Sequence, residues 1–238
     1  MAGATTTSVL QKVLAAAGVA LFAALVLWFS PLTVISRAVA LEQSLHFRLY
    51  ELHFWQFGSA FLAVIFLSRG HLWSYGINSQ NLKLSLQWLA WLYGTVILFT
   101  AAAWLTGLPL YPSTAVFLPA GSAESVIAML VYWMSSPVAN QILFFSFAQT
   151  VLLKQWGDSF RLAGIPAVVI VSAAMFAAGA TASSLAGMEG AVLPLFALGL
   201  FCGMVYWRTN SLIAPMLGHA FFFGFPLFIH LLRTGGIR

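Results

Sequence analysis

The sequence predicts an all-α, polytopic membrane protein, a single domain over residues 1–238 built as a bundle of about seven transmembrane helices. Three observations predict it. Of the 238 residues 61% are hydrophobic and only 6% charged, whereas a water-facing globular chain carries about 25% charged residues. The 29 residues from Ser125 to Leu153 contain no charge; at about 1.5 Å per residue they exceed the roughly 20 residues that cross a bilayer core. The Lys and Arg residues, which give a net charge of +5, lie singly between apolar segments, as in membrane loops. In lipid, helices satisfy every backbone polar group internally.

The first apolar segment runs from about Val13 to Ile35. Lys12 before it and Ala38-Val39-Ala40 after it mimic a signal peptide, but the apolar run exceeds the usual 7 to 15 or so residues and Arg37 intervenes, so it reads as a span. Next, Leu41 to His53 (LEQSLHFRLYELH) mixes charge and apolar residues at near-helical spacing, which predicts a piece lying along the interface. It leads into a second span, Tyr50 to Leu67. The third, Leu84 to Leu105, follows Lys83. Trp55, Trp73, Trp88, Trp91 and Trp207 fall at or near segment ends, where indoles anchor helices at headgroup level. The fourth segment, Ser122 to Leu153, is expected to bend near Pro137, whose ring interrupts the helical ladder. Small residues mark close helix packing in the fifth, Ile165 to Leu185, through Ala173, Ala177 and Ala180, and in the sixth, Ala191 to Trp207, through Gly199 and Gly203. The seventh is Leu212 to Leu232, with an aromatic run at Phe221 to Phe223.

A cytoplasmic N-terminus places Lys12, Arg69, Lys83, Lys154, Arg161 and Arg208 inside and leaves Arg37, Arg48, Arg233 and Arg238 outside. The positive-inside rule therefore predicts that orientation, in a bacterial-type cytoplasmic membrane. Lone Cys202 lies in an apolar run, which leaves no partner for a disulfide or a thiolate cluster within the chain. Nothing in the distribution of charge resembles a nucleic-acid groove.

Asn140, Gln141 and His219 fall at membrane depth, where polar groups are costly and usually kept for a reason. Gln141 is 13 residues before Lys154 and His219 is 11 after Arg208, so both lie about 16 to 20 Å from the same boundary. They are expected to meet in one cavity, with Phe145 and Phe223 in its wall. As bland alternatives, the amides are interhelical hydrogen-bonding residues and His219 bonds a backbone carbonyl or one of those amides.

The order of motifs around these residues resembles the CAAX-protease and bacteriocin-processing (CPBP) family of intramembrane endopeptidases. Its helices read roughly P-x-x-E-E-x-x-F-R-G, F-x-x-x-H and H-x-x-x-N or D. Here Pro137-Val138-Ala139-Asn140-Gln141-Ile142-Leu143-Phe144-Phe145-Ser146 follows the first pattern and Phe176-Ala177-Ala178-Gly179-Ala180 the second. Arg208-Thr209-Asn210-Ser211-Leu212-Ile213-Ala214-Pro215 leads into the third at His219. Ser74-Tyr75-Gly76-Ile77, then Asn81-Leu82-Lys83, resembles the family's approach to its core, so the likeness spans about residues 69–226. It implies the family's fold and places its functional positions. The two glutamates correspond to Asn140 and Gln141, the arginine to Phe145, the first histidine to Ala180 and the closing Asn or Asp to Phe223. His219 alone keeps its type.

A carboxamide has no useful basicity near neutral pH, so Asn140 and Gln141 cannot act as the family's general base. Zinc catalysis needs about three protein ligands, and His46, His53, His71 and His230 read as lying at segment ends, away from His219. Glu42, Glu51, Glu124, Asp158 and Glu189 read as loop or helix-end residues, which leaves no metal, no cofactor and no replacement base. The expectation is a catalytically degenerate, CAAX-protease-like binding or scaffold subunit, whose partners are membrane lipids and another integral membrane protein or lipid-modified protein. Two alternatives stay open: an active endopeptidase of this family, and a small lipid- or pigment-binding or transport subunit.

Overall fold

A computed structural model gives the structure, which describes residues 8–28, 45–107, 135–183 and 192–234. Among them seven helices run in order: α1 Val9–Trp28, α2 Leu45–Ser68, α3 Leu82–Thr106, α4 Ser135–Trp156, α5 Ala167–Ser183, α6 Val192–Thr209 and α7 Ile213–Thr234. The protein is an all-α integral membrane protein. Among the described residues α1, α3, α4 and α6 are long and apolar enough to cross a bilayer, while α2, α5 and α7 carry shorter apolar stretches, His53–Ser68, Ala167–Thr181 and Ile213–Pro226.

Local chemistry sets the helix ends. Ser8 and Gln11 form a reciprocal cap, the Gln11 backbone N–H donating to Ser8 Oγ at 3.2 Å and the Ser8 N–H to Gln11 Oε1 at 2.9 Å. This S-x-x-Q box starts α1 at Val9, one turn before its apolar run. α2 is continuous from Leu45 to Ser68. Residues 45–53 of the mixed segment are thus continuous with the helix that carries the second apolar run, while residues 41–44 lie outside the description. Trp156 Nε1–H donates to the Lys12 carbonyl at 2.9 Å, which sets the start of α1 level with the end of α4.

α4 is the axis of the bundle: 83% of its apolar window is buried, against 17% for α1. After Gln141 its backbone opens into a π-helix over Ile142–Gln149, and all eight of those residues are buried. The distortion of the fourth segment thus sits after Gln141. Pro137 is the third described residue of α4, and residues 122–134 lie outside the description. Phe22 of α1 meets Phe147 at 4.7 Å, and Phe144 stands edge-on to Phe176 of α5 at 5.8 Å. The outer faces carry Phe66, Trp91, Leu98, Phe99, Leu105 and Leu193, all exposed, as lipid contact requires.

Two turns interlock at the end of the bundle where α2 passes to α3 and α6 to α7. Leu212 N–H donates to Gly76 O at 3.0 Å, and Asn78 Nδ2 to Asn210 O at 2.8 Å. Asn81 Nδ2 donates to Thr209 O at 3.0 Å, and Ser211 Oγ to Asn78 O at 2.8 Å. Ser146 Oγ, from the π stretch, donates to Tyr75 O at 2.6 Å. Gly76 has φ +76°, and a β-carbon there would strike the Tyr206 ring, so only glycine suits the position. Between α4 and α5 a two-residue ribbon pairs Arg161 with Pro166 and Leu162 with Ile165. Its turn residues Ala163 and Gly164 both have positive φ, 50° and 82°, the geometry of a tight hairpin turn.

Candidate functional site

The site forms where α4 goes over to π geometry. Gln141, the last residue before that stretch, is completely buried, and its Nε2 lies 3.1 Å from Nδ1 of His219 on α7. An amide NH₂ only donates, so in this pairing Nδ1 accepts and the imidazole proton sits on Nε2. His219 is itself buried, with Phe176 edge-on at 5.2 Å and Phe223 at 5.4 Å. Phe145 is fully buried 5.8 Å from Phe176. Three helices thus enclose one imidazole in aromatic rings and one amide.

Asn140 turns back along its own helix: its Nδ2 donates to Ser136 Oγ at 3.2 Å, while its Oδ1 has no partner. Ala180 lies one turn beyond Phe176 on α5 and is half-buried. Gly199 and Gly203 face α5, where a β-carbon on Gly199 would lie 3.0 Å from the Ala173 backbone and one on Gly203 3.0 Å from Val169. Cys202 lies beside Gln141, its thiol donating to the Pro215 carbonyl at 3.7 Å.

One expectation is corrected. His53 does not sit at a segment end away from the site; it is buried and lies within electrostatic reach of His219. The reason is that the helix already runs at Leu45, before Tyr50, so His53 lies at least eight residues inside it. His53, Gln56, Ala60 and Val64 form the buried face of α2, spaced three and four apart as a helix face requires. Sequence reasoning passed over Gln56, although its spacing from Ala60 and Val64 marks that face.

Asp158 is exposed and pairs with Arg161 at 3.5 Å, far from this cluster in the fold. Among the described residues no three His, Cys, Asp or Glu side chains gather as metal ligands. The arrangement offers amides and imidazoles, which donate and accept hydrogen bonds; an amide takes up no proton.

Residues 122–224 match the family model described as Type II CAAX prenyl endopeptidase Rce1-like. That segment is Rce1-like, consistent with the CPBP resemblance of the motifs. It takes in Asn140, Gln141, Phe145, Ala180, His219 and Phe223. His53 and the Gly76 turn lie upstream of the Rce1-like segment, so the chain completes the surroundings of its site with residues the match does not include. No curated protein and no solved structure matches the chain.

Proposed function

We propose that the protein is a catalytically degenerate Rce1-like membrane protein that acts by binding, as a scaffold for another integral membrane protein or a lipid-modified protein in a bacterial-type cytoplasmic membrane. The observation that supports this reading is the Gln141–His219 contact: the position of the family's acid carries a fully buried amide bonded to the one retained histidine. Aromatic rings at Phe145, Phe176 and Phe223 fill the space around it. Such a site has no carboxylate to activate water, while the turns and the α5–α6 seam that shape the fold are intact. The distribution of basic residues supports a cytoplasmic N-terminus. The test is purification of the tagged protein in mild detergent, with identification of what accompanies it, beside endopeptidase assays on prenylated and transmembrane peptides. A reproducible stoichiometric partner and no cleavage are expected.

One observation favours a second reading, an active endopeptidase. His53 brings a second imidazole to His219, and imidazole is a competent general base. A cleavage product lost in both His53→Ala and His219→Ala, in protein that remains folded, would establish that reading.

A further inference from the structure

Two guanidiniums share one indole at the end of the bundle where α4 passes to α5 and α6 to α7. Arg161 Cζ lies 5.2 Å from the centre of the Trp207 ring and Arg208 Cζ 4.9 Å from it, and both arginines are exposed. Stacking on a ring engages a guanidinium through its flat face and leaves its N–H edge open to an anion. Arg161 is held further by Asp158: its Nε donates to the Asp158 carbonyl at 3.2 Å, and its Nη2 lies 3.5 Å from the carboxylate. An exposed pair of that kind neutralises little, and among the described residues no acid pairs with Arg208. Two like charges are thus fixed on one ring with a single weak counter-ion, an arrangement that an added anion relieves.

The ribbon that carries Arg161 selects the anion. Successive side chains of a strand alternate in direction, so Phe160 and Leu162, both exposed, share the face opposite Arg161. The ribbon is apolar on one side and cationic on the other, at the level where α4 ends and α5 begins, which suits the boundary between acyl chains and headgroups. Lys154 stands at the same end, 4.0 Å over the Tyr75 ring, and Asp158 is the only acid there among the described residues. We propose that Arg161 and Arg208, mounted on Trp207, form a headgroup site for an anionic phospholipid of the surrounding leaflet. The phosphate is taken between the two guanidiniums, while Phe160 and Leu162 bed the ribbon in the bilayer and keep Arg161 at phosphate depth. A dissolved phosphate would use the guanidiniums alone and leave that apolar face unexplained. The site lies apart from the buried Gln141–His219 contact and does not depend on the scaffold reading.

The test is native mass spectrometry of full-length protein in detergent, titrated with phosphatidylglycerol and, separately, with phosphatidylcholine of the same chains. Phosphatidylglycerol is expected to bind more tightly. Arg161→Gln/Arg208→Gln should weaken it about thirty-fold, the effect of two cations at an anionic headgroup, and leave phosphatidylcholine unchanged. Trp207→Leu keeps both charges and removes their mount, and should also weaken phosphatidylglycerol. Arg69→Gln/Lys83→Gln removes the same charge away from the ring and should cost far less. Equal losses in the two double variants would replace the site with a diffuse positive surface and overturn the proposal. Equal binding of the two lipids by the unmodified protein would overturn it without any variant. Displacement of phosphatidylglycerol by inorganic phosphate at the lipid's own concentration would also overturn it, by showing a site for a free anion.

Discussion

Buried polar side chains in this protein differ in how completely they are bonded, and the difference sorts their roles. Gln149 is fully buried, donates through Nε2 to Gly203 O at 2.9 Å and accepts from Ser172 Oγ at 2.9 Å, so it ties α4 to α5 and α6. Gln141 bonds His219 and lies beside the Cys202 thiol. Interhelical hydrogen bonds in membranes average about 0.6 kcal/mol, and removing one partner of a buried pair adds the desolvation of the other. Gln149→Leu is therefore expected to cost about 2 kcal/mol, and Gln141→Ala or His219→Ala about 1 kcal/mol each. Unfolding of the purified variants in detergent measures this order; a Gln149 variant as stable as the parent would show that its two bonds carry no net stability. Under the scaffold reading, His219→Ala also leaves the cellular role intact at normal protein abundance. At this scale the sequence was legible for Asn140, Gln141 and His219, which stand out as polar inside apolar runs. It was not legible for His53 and Gln56. They lie in a segment already mixed in polarity, where the inward face appears only once the helix start is known.

At the scale of elements, the α5–α6 seam and the π stretch of α4 depend on one another. A β-carbon on Gly203 would lie 2.9 Å from Gln149 Oε1, 3.0 Å from Val169 Cγ1 and 3.2 Å from Phe145 Cε1, and one on Gly199 would meet Ala173 Cα at 3.0 Å. Backbone cannot yield as a side-chain tip can. Gly199→Leu and Gly203→Leu are thus expected to abolish folded protein, read as loss of a monodisperse peak after solubilisation. Gly94→Ala, with nothing within 4 Å of the new atom, should leave yield unchanged or raise it, since alanine favours helix over glycine by about 0.5–1 kcal/mol. Gly76→Ala should destabilise the interlocked turns through both its positive φ and the Tyr206 ring. The helices themselves were readable as apolar runs. Their ends were not, because the α1 start is set by a polar cap and the α2 start precedes the apolar run that marked it. The π geometry of Ile142–Gln149 leaves no trace in composition, since those residues read as an ordinary buried helix.

For the whole molecule, the question is whether the fold could hold the catalytic pattern of the Rce1-like family that residues 122–224 match, and the packing makes that costly. Rebuilding the family's pattern takes Asn140→Glu, Gln141→Glu, Phe145→Arg, Ala180→His and Phe223→Asn together. Gln141 and Phe145 are fully buried, Phe145 lies against the Phe176 ring and Phe223 against His219. Two carboxylates and a guanidinium placed there lose their water, at a cost of several kcal/mol per ion unless the pairing geometry is excellent. That geometry would have to form within space now shaped by two phenylalanines, on a π stretch whose backbone fixes where residue 145 points. The five-fold variant is therefore expected to express poorly and to cleave prenylated or transmembrane peptides weakly or not at all. The parent protein should show no cleavage above background and no stoichiometric zinc by metal analysis. The measurement that decides is peptide cleavage by the five-fold variant at matched abundance of folded protein. Robust turnover would mean that the cavity keeps the shape the Rce1-like pattern needs and that the side chains alone differ. Its absence, in a variant that folds, would place the divergence in the packing of α4 against α5 and α7.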